Sequence, residues 1–366
     1  MIRLMLAGAL LLGSLELAAA QTTLRVGDQK GNAQAVMEAA GQLKDVPYKI
    51  EWKEFPAAAP LLEALSAGAI ETGLVGDAPF TFAAASGAPV KAIAAIRQTR
   101  EGLAILVPEN SPIRSFADLR GKKIATGRGS IGHQLILAAL EKSGWSESDV
   151  QIAFLAPSDA KIAYTHGSVD AWSTWEPYVS QEEVLFKSRR IITSEGLTPG
   201  LSFQVARPDA IRNKRAELTD FIRRLTAARA WSLNNVDSYA ATWGRLMNIP
   251  TAVPLNWLSR AKIRIAPIDD GVVADEQGTI DLYLRWGLIK QKLDAAEIVD
   301  RSFADAIAKA GAVSGNVRAH SRNRAPSWPG LSRPSTPRVW LSHSGMVRRT
   351  RPGISRFRVL ASRAPE

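Results

Sequence analysis

Short apolar runs with the period of a β-strand alternate along the chain with runs that have the period of a helix. The segment 48–55 has the clearest strand pattern, because Tyr48, Ile50 and Trp52 alternate with charged residues. The segment 214–234 has a helical pattern, and its apolar stripe consists of Leu218, Phe221, Ile222 and Leu225. Such alternation predicts an α/β fold in which parallel sheets are flanked by helices.

The alternation continues to residue 166 and changes after that. The predicted strands are 24–26, 48–55, 72–75, 90–96, 103–107, 123–126 and 150–154. The predicted helices are 33–43, 60–65, 78–86, 131–143 and 158–166. From Arg207 onward the pattern is mostly helical. Because 366 residues exceed what one compact core usually holds, the length predicts two domains.

The N-terminus has the pattern of an export signal. Arg3 provides a positive start, residues 4–12 form an apolar run, and 17–20 offer small residues for cleavage before Gln21. The apolar run is shorter than the roughly 20 residues that a membrane-spanning helix needs. We therefore expect residues 1–20 to be a cleaved signal peptide and the mature protein to be exported.

The positive charge of the chain is concentrated at its C-terminal end. Residues 312–366 contain eleven arginines and one acid, Glu366, so they carry ten of the eleven net positive charges. This segment has no strand or helical period and is rich in proline and serine, so we expect a disordered basic tail. The rest of the chain is almost neutral, which argues against a nucleic-acid-binding face.

Three predicted strand-to-helix junctions carry groups suited to binding an anion. Gln29 and Lys30 follow the first strand, Gly76 and Asp77 follow 72–75, and the glycine-rich segment 127–133 follows 123–126. Asp77 is predicted to be the N-cap of its helix. Unpaired N–H groups and the helix dipole at such junctions favour an oxyanion, although an ordinary capped loop is the alternative at each.

Two enzyme motifs also occur and are weaker. Gly127, Gly129 and Gly132 match the dinucleotide-binding spacing, but the next predicted strand ends without the acid that binds a ribose. Ser158 and Lys161 have the spacing of a serine acylase pair, without its partner motifs. Since the chain has no cysteine and only four histidines, we expect no metal site and no cofactor. A dinucleotide-binding oxidoreductase remains a distant alternative.

The chain resembles the periplasmic substrate-binding proteins of ABC importers for sulfonates, nitrate and taurine, and most closely the aliphatic-sulfonate-binding branch. The resemblance extends from about residue 24 to 311. The stretches that carry it are 29–31, 52–57, 61–65, 76–79, 109–113, 118–123, 129–140, 157–160 and 169–178.

This resemblance implies a fold and its division. It implies a two-lobed α/β fold of the type II, flytrap kind, with each lobe a sheet flanked by helices. Residues 21–104 plus 206–311 would form lobe one and 105–205 lobe two, with crossover hinges near 101–107 and 202–207.

The resemblance also implies a ligand site and partners. A sulfonate head would lie among Gln29, Asp77, Ser130, His133 and neighbouring backbone amides, and its organic tail would rest against Trp172 and Trp175. The full set of candidate ligand-binding residues is Gln29, Lys30, Gly76, Asp77, Ser130, Ile131, Gly132, His133, Trp172, Trp175 and Glu176. The implied partners are an ABC permease and its ATPase, and the implied receptor is a periplasmic monomer without catalytic residues.

The ligand itself is less defined than the fold. Ile131 and Gly132 stand where the branch pattern leads us to expect more hydroxyl groups. Nitrate, taurine or a pyrimidine precursor in the same fold are therefore alternatives to an alkanesulfonate.

Overall fold

The computed structural model describes residues 21–311; the predicted signal peptide and basic tail lie outside this range. The strands are β1 (Thr23–Gln29), β2 (Lys49–Phe55), β3 (Thr72–Gly76), β4 (Lys91–Arg97), β5 (Leu103–Val107), β6 (Lys123–Thr126), β7 (Gln151–Phe154), β8 (Ala171–Trp175), β9 (Arg189–Thr193), β10 (Leu201–Ala206) and β11 (Arg264–Ala266). The α-helices are α1 (Asn32–Ala39), α2 (Ala58–Ser66), α3 (Asp77–Ala85), α4 (Ile131–Ser143), α5 (Pro157–Thr165), α6 (Tyr178–Phe186), α7 (Pro208–Asn213), α8 (Arg215–Ser232), α9 (Val236–Met247), α10 (Ala252–Ala261) and α11 (Asp270–Arg285).

These strands form two sheets, and each sheet is the centre of one lobe. The first lobe contains a six-stranded sheet with the order β11-β4-β10-β3-β1-β2. The second lobe contains a five-stranded sheet with the order β7-β6-β8-β5-β9. The predicted α/β class with two helix-flanked sheets is therefore confirmed.

The prediction that the sheets are parallel is wrong, because both are mixed. In the first sheet β10 pairs antiparallel with β3 and β4, and in the second β5 pairs antiparallel with β8 and β9. Both β5 and β10 are the strands by which the chain enters a new sheet. They start at the edge where the preceding strands end, so they run in the opposite direction.

The chain passes between the sheets twice, through 98–102 and 194–200. Both connections precede the crossovers expected near 101–107 and 202–207. The reason is that 103–107 and 201–206 are incorporated into the sheets along their whole length as β5 and β10.

Helix α11 makes contacts with both lobes, although its sequence lies in the range expected for lobe one. Ile280 and Tyr283 of this helix pack with Leu135 of α4 and Ile105 of β5 in one buried cluster. The same cluster contains Ala78 of α3. The apolar face of α11 is thus divided between the lobes, which periodicity along one helix cannot show.

The first lobe is held by apolar layers on both faces of its sheet. Val36, Phe221 and Trp243 belong to the cluster on one face, and Leu61 and Phe203 belong to the cluster on the other. Within residues 21–311, no helix combines the length and apolarity needed to cross a bilayer.

Candidate functional site

A cleft of about 910 Å³ lies where the ends of the strands of the two lobes face each other. Residues at or just after the ends of β1, β3, β4, β6, β7 and β8 line it. The carboxyl ends of parallel strands are the usual place for a ligand in an α/β sheet, because helix N-termini and loops converge there. The cleft is therefore the candidate site.

Most of the cleft wall is apolar and includes several aromatic rings. Phe82 and Trp257 line it from the first lobe, and Ile131, Phe154 and Trp175 line it from the second. A site of this composition binds organic groups by burial, and its few polar groups orient the ligand.

The N-terminus of α4 is the main polar feature of the second lobe's wall. Ser130 is the N-cap, and its hydroxyl oxygen accepts a hydrogen bond of 3.2 Å from the backbone N–H of His133. The N–H groups of Ile131 and Gly132 precede the first intrahelical bond and have no acceptor among the described residues. The amide of Ile131, which lines the cleft, can bind an anion together with the helix dipole.

The glycine before this helix is required by the backbone and by packing. Gly129 has φ +68°, in the left-handed region, and a Cβ there would lie 2.8 Å from Cγ of Phe82 in the first lobe. A larger residue would strain the backbone and push the lobes apart. Gly129 of the dinucleotide-like spacing therefore has structural reasons of its own.

The junction after β1 supplies the predicted Gln29 and Lys30 to the cleft wall. The amide nitrogen of Gln29 donates to the carbonyl oxygen of Leu74 at 2.7 Å, which holds the side chain in place. Lys30 adopts a left-handed φ of 54°, and its amino group lies 3.6 Å from the carboxylate of Glu54. Its charge is thus partly balanced at the rim.

Arg229 is a cleft residue that the sequence reasoning missed. It lies on α8, is almost completely buried, and lines the cleft from the first lobe. One terminal nitrogen donates to the hydroxyl of Tyr239 at 2.9 Å, and the other donates to the side-chain oxygen of Asn32. Its Nε has no hydrogen-bond partner among the described residues. Arg229 lies four residues after Leu225 and therefore on the apolar stripe of the helix. A charged residue on a buried stripe was the sequence signal that could have identified it as a candidate site residue.

The charge of Arg229 has a buried acidic neighbour. The carboxylate of Asp28 accepts hydrogen bonds from the backbone N–H groups of Ala33 and Gln34 at the start of α1. Burial raises the pKa of Asp28 to about 6, and the positive charge of Arg229 acts in the opposite direction. Because the guanidinium is bonded mainly to neutral groups, it remains able to attract an anion from the cleft.

Seven of the eleven predicted site residues line the cleft: Gln29, Lys30, Gly76, Ser130, Ile131, Trp175 and Glu176. The remaining four lie behind the wall: Asp77, Gly132, His133 and Trp172.

Asp77 points its carboxylate away from the cleft into the contact between helices. Its Oδ2 accepts hydrogen bonds from Nε2 of Gln134 at 2.8 Å and from the hydroxyl of Thr279 at 2.9 Å. The predicted N-cap role is wrong, because Gly76 occupies the cap and Asp77 is the first helical residue. Burial raises the pKa of Asp77.

His133 and Trp172 are packed into the second lobe. Nδ1 of His133 accepts a hydrogen bond of 3.2 Å from the N–H of Gly129, and burial lowers the pKa of the ring to about 4. Trp172 is 2% exposed and packs against the rings of Tyr164 and Tyr178. Both side chains therefore support the wall from behind.

Gly132 lies at the close approach of α4 to β8. A Cβ at this position would lie 2.6 Å from the carbonyl oxygen of Ser173. Only glycine allows this helix start to sit directly on the strand.

Glu176 lines the cleft but is engaged by Arg260 of the first lobe. Its carboxylate lies 3.3 Å from Nη2 of Arg260 and accepts a hydrogen bond of 3.0 Å from the N–H of Ser180. Burial raises the pKa of Glu176 to about 8. The same guanidinium lies 3.5 Å from Glu183, so Arg260 links the two lobes beside the cleft. In residues 21–311, no group of acidic or histidine side chains is arranged to hold a metal ion.

Comparison with known proteins identifies the relatives of this chain. A model of the NMT1/THI5-like family matches residues 49–237. An Escherichia coli K12 protein named for aliphatic-sulfonate binding is 36% identical over 80% of this chain and 94% of its own.

Two solved structures are similar over most of the described range. The alkanesulfonate-binding protein SsuA of Xanthomonas axonopodis pv. citri, bound to MOPS, is 32% identical with a TM-score of 0.72, and the match covers 78% of this chain and all of the other. The periplasmic aliphatic sulphonate-binding protein SsuA of Escherichia coli is 33% identical with a TM-score of 0.69, over 76% and 92% of the two chains. These similarities confirm the predicted two-lobed periplasmic-binding-protein fold. On these findings the chain belongs to the NMT1/THI5-like family, in the branch of the aliphatic-sulfonate-binding proteins.

Proposed function

We propose that the protein is an extracytoplasmic receptor that binds a small organic sulfonate between its two lobes and delivers it to an ABC import permease. The observation that carries this proposal is the composition of the cleft. An apolar, aromatic chamber has its anion-binding groups at one helix N-terminus and one buried arginine.

The sulfonate head is assigned to the polar part of the wall. A sulfonate is permanently ionised and has no proton to donate, so it requires donors. The backbone amide of Ile131, the side chain of Gln29 and the guanidinium of Arg229 supply them. Donors attached to a rigid helix start and a buried side chain lose little freedom on binding. Asp77, His133 and Trp172 have no place in this binding site.

The organic part of the ligand is assigned to the aromatic walls. Phe82, Trp175 and Trp257 face the same cleft from opposite lobes. Nitrate would leave this surface without a partner, so the walls favour a ligand with a carbon chain or ring. Taurine carries an ammonium group, and the buried acid of the wall, Glu176, is already engaged by Arg260. MOPS, which the Xanthomonas relative binds, has the sulfonate and organic part that such a cleft requires.

The two lobes are proposed to open and close about the connections 98–102 and 194–200. The lobe division expected from the sequence, 21–104 plus 206–311 and 105–205, is proposed with shifted boundaries. They shift because 103–107 belongs to the second sheet as β5 and 201–206 to the first as β10. Contacts across the cleft, such as the bond of 2.9 Å from the Tyr178 hydroxyl to the carbonyl of Pro56, would break on opening. Such closure buries the ligand and excludes water.

The remaining parts of the proposal concern location and partners. We propose that residues 1–20 direct export to the periplasm, where the relative in Escherichia coli is placed by its description. The receptor would act as a monomer and meet a permease that is driven by a separate ATPase. No reaction on the ligand is proposed, since His133 is buried behind the wall and Glu176 is paired.

A thermal-shift and calorimetry panel tests the ligand class directly. Alkanesulfonates of increasing length, MOPS, taurine, nitrate and a pyrimidine would be titrated into the purified protein. A ligand at 100 times its Kd should add about 2.7 kcal/mol of stability. Stabilisation by sulfonates with organic tails supports the proposal. A response to nitrate, taurine or the pyrimidine without any response to the other sulfonates contradicts it.

A further inference from the structure

A second, much smaller cavity lies beside the cleft, at the two connections between the lobes. Its volume of about 20 Å³ is enough for a single water molecule. Residues that line it include Asp77, Thr99, Leu103, Gln134, Ser194 and Thr198. Asp77, whose carboxylate is buried, is thus one of the residues around this cavity.

The small cavity and the cleft share part of their walls. Gln98, Ile131 and Ser202 line both spaces, so their side chains or backbone atoms form the partition. Gln98 lies in the first connection between the lobes, and Ser202 is the second residue of β10, which follows the second connection. Ile131 is the apolar member and the first residue of α4, the helix whose N-terminus lies at the cleft.

Ile131 is seated firmly in this position. Its Cγ2 lies so close to Gly76 of the first lobe that a Cβ on Gly76 would overlap with it. The absence of a side chain at Gly76 thus makes room for the branched side chain of Ile131. The isoleucine closes the contact between the lobes at the base of the cleft.

The carboxylate behind this wall is unfavourable for an anionic ligand. Asp77 is 2% exposed, and the side chains of Gln134 and Thr279 both donate to the same one of its oxygens. Like charges in a partly dry interior repel strongly over several ångströms. Water admitted from the cleft would also relieve the burial that raises the pKa of Asp77, so that the group would ionise next to the ligand.

We propose that Ile131 is a specificity-determining residue that separates the anionic head of the ligand from the carboxylate of Asp77. This inference rests on the proposed sulfonate-binding function of the cleft. The proposal explains why position 131 holds an apolar residue, although a hydroxyl-bearing side chain there would offer the ligand one more donor. The isoleucine gives up that donor and keeps the solvent and the ligand of the cleft away from the neighbouring acid.

A double-mutant cycle tests the inference. Affinity for the alkanesulfonate that the wild type binds best is measured by calorimetry for wild type, Ile131→Ala, Asp77→Asn and the double variant. We expect Ile131→Ala to weaken binding about tenfold in the wild-type background, and at least threefold less when Asp77→Asn is already present. Ile131→Val is the matched control, because it keeps Cγ2 over Gly76 and should bind within about twofold of wild type.

Each outcome of this cycle supports or overturns the inference. If Ile131→Ala lowered sulfonate affinity equally with Asp77 and with Asn at position 77, Ile131 would contribute packing alone. If Ile131→Ala bound with unchanged affinity, the isoleucine would not separate the ligand from Asp77. Both results overturn the inference. If Ile131→Ala does not fold, Ile131→Thr replaces it, with a smaller coupling of the same sign expected. A wild type that binds no sulfonate rejects the proposed function as well, whereas binding without coupling rejects only the role of Ile131.

Discussion

Replacing Arg229 with glutamine removes the buried positive charge from the cleft wall and keeps a hydrogen-bonding side chain of similar length. In the wild type, this guanidinium donates to Tyr239 and Asn32 and leaves Nε without a partner among the described residues. Glutamine can replace one of these donors and cannot replace the charge. The substitution therefore tests whether the cleft binds an anion through Arg229.

The size of the effect follows from the bonds that are lost. A hydrogen bond to a charged group contributes about 1.5–3 kcal/mol, so sulfonate affinity should fall about 10- to 100-fold. Folding stability should also fall, by about 2–3 kcal/mol, because a buried acceptor loses its donor. The carboxylate of Asp28 loses its nearby positive charge as well, so its pKa should rise further.

Calorimetric titration with an alkanesulfonate and urea unfolding of the same samples measure the two effects separately. Arg223→Gln is the matched control, because Arg223 lies on the same helix, pairs with Asp220 and does not line the cleft. The control should bind within about twofold of wild type. A folded Arg229→Gln protein with wild-type affinity would refute the assignment of Arg229 to the anion.

Three further predictions concern the cleft wall and its support. Burial lowers the pKa of His133 from 6.5 to about 4, so the unfolded chain takes up the proton first and His133 alone contributes a stability loss of about 2 kcal/mol between pH 7 and 5. His133→Gln should remove this contribution, so that the variant gains about 2 kcal/mol relative to the wild type between the two pH values. The same pH dependence of urea unfolding in both proteins would contradict this. Trp175→Ala should weaken the binding of long-chain sulfonates more than that of short ones in calorimetry. Trp172→Ala should lower the free energy of unfolding by about 3–5 kcal/mol in urea. If Trp172→Ala instead weakened binding and Trp175→Ala lowered stability, the assignment of Trp175 to the ligand and of Trp172 to the core would be wrong. Gly129→Ala should lower both melting temperature and affinity, because the new Cβ meets Phe82 in a left-handed backbone, and Gly129→Ala with unchanged binding would show that the lobes do not need this contact.

Much of the site could be predicted because its residues follow local rules. Ser130 is an N-cap after a short strand, and Gln29 stands at the end of another, so sequence spacing alone brings both to the strand ends. The departure at Ile131 was also visible as an apolar residue among expected hydroxyls. The contact of Ile131 with Gly76 could not be predicted from the sequence, because Gly76 belongs to the other lobe.

The residues that were wrongly predicted to face the ligand turn away from it for one physical reason. Asp77 and His133 stand at helix starts, where sequence alone suggests that they face a ligand. Their side chains turn inward because Gln134 and Thr279 offer donors to Asp77, and because Gly129 offers its N–H to His133. Each of these contacts depends on neighbouring turns and packed helices that periodicity cannot orient.

The order of the amino acids was enough to define the α/β class, the succession of the elements and the helix junctions that form the cleft, because periodicity and capping are local properties. Long-range packing settled which way β5 and β10 run, how α11 is shared between the lobes and that Arg229 reaches the cleft. These features depend on where a returning chain enters a sheet and on which distant helix covers which face. Burial then sets which charges are available to a ligand, and burial is a property of the packed molecule.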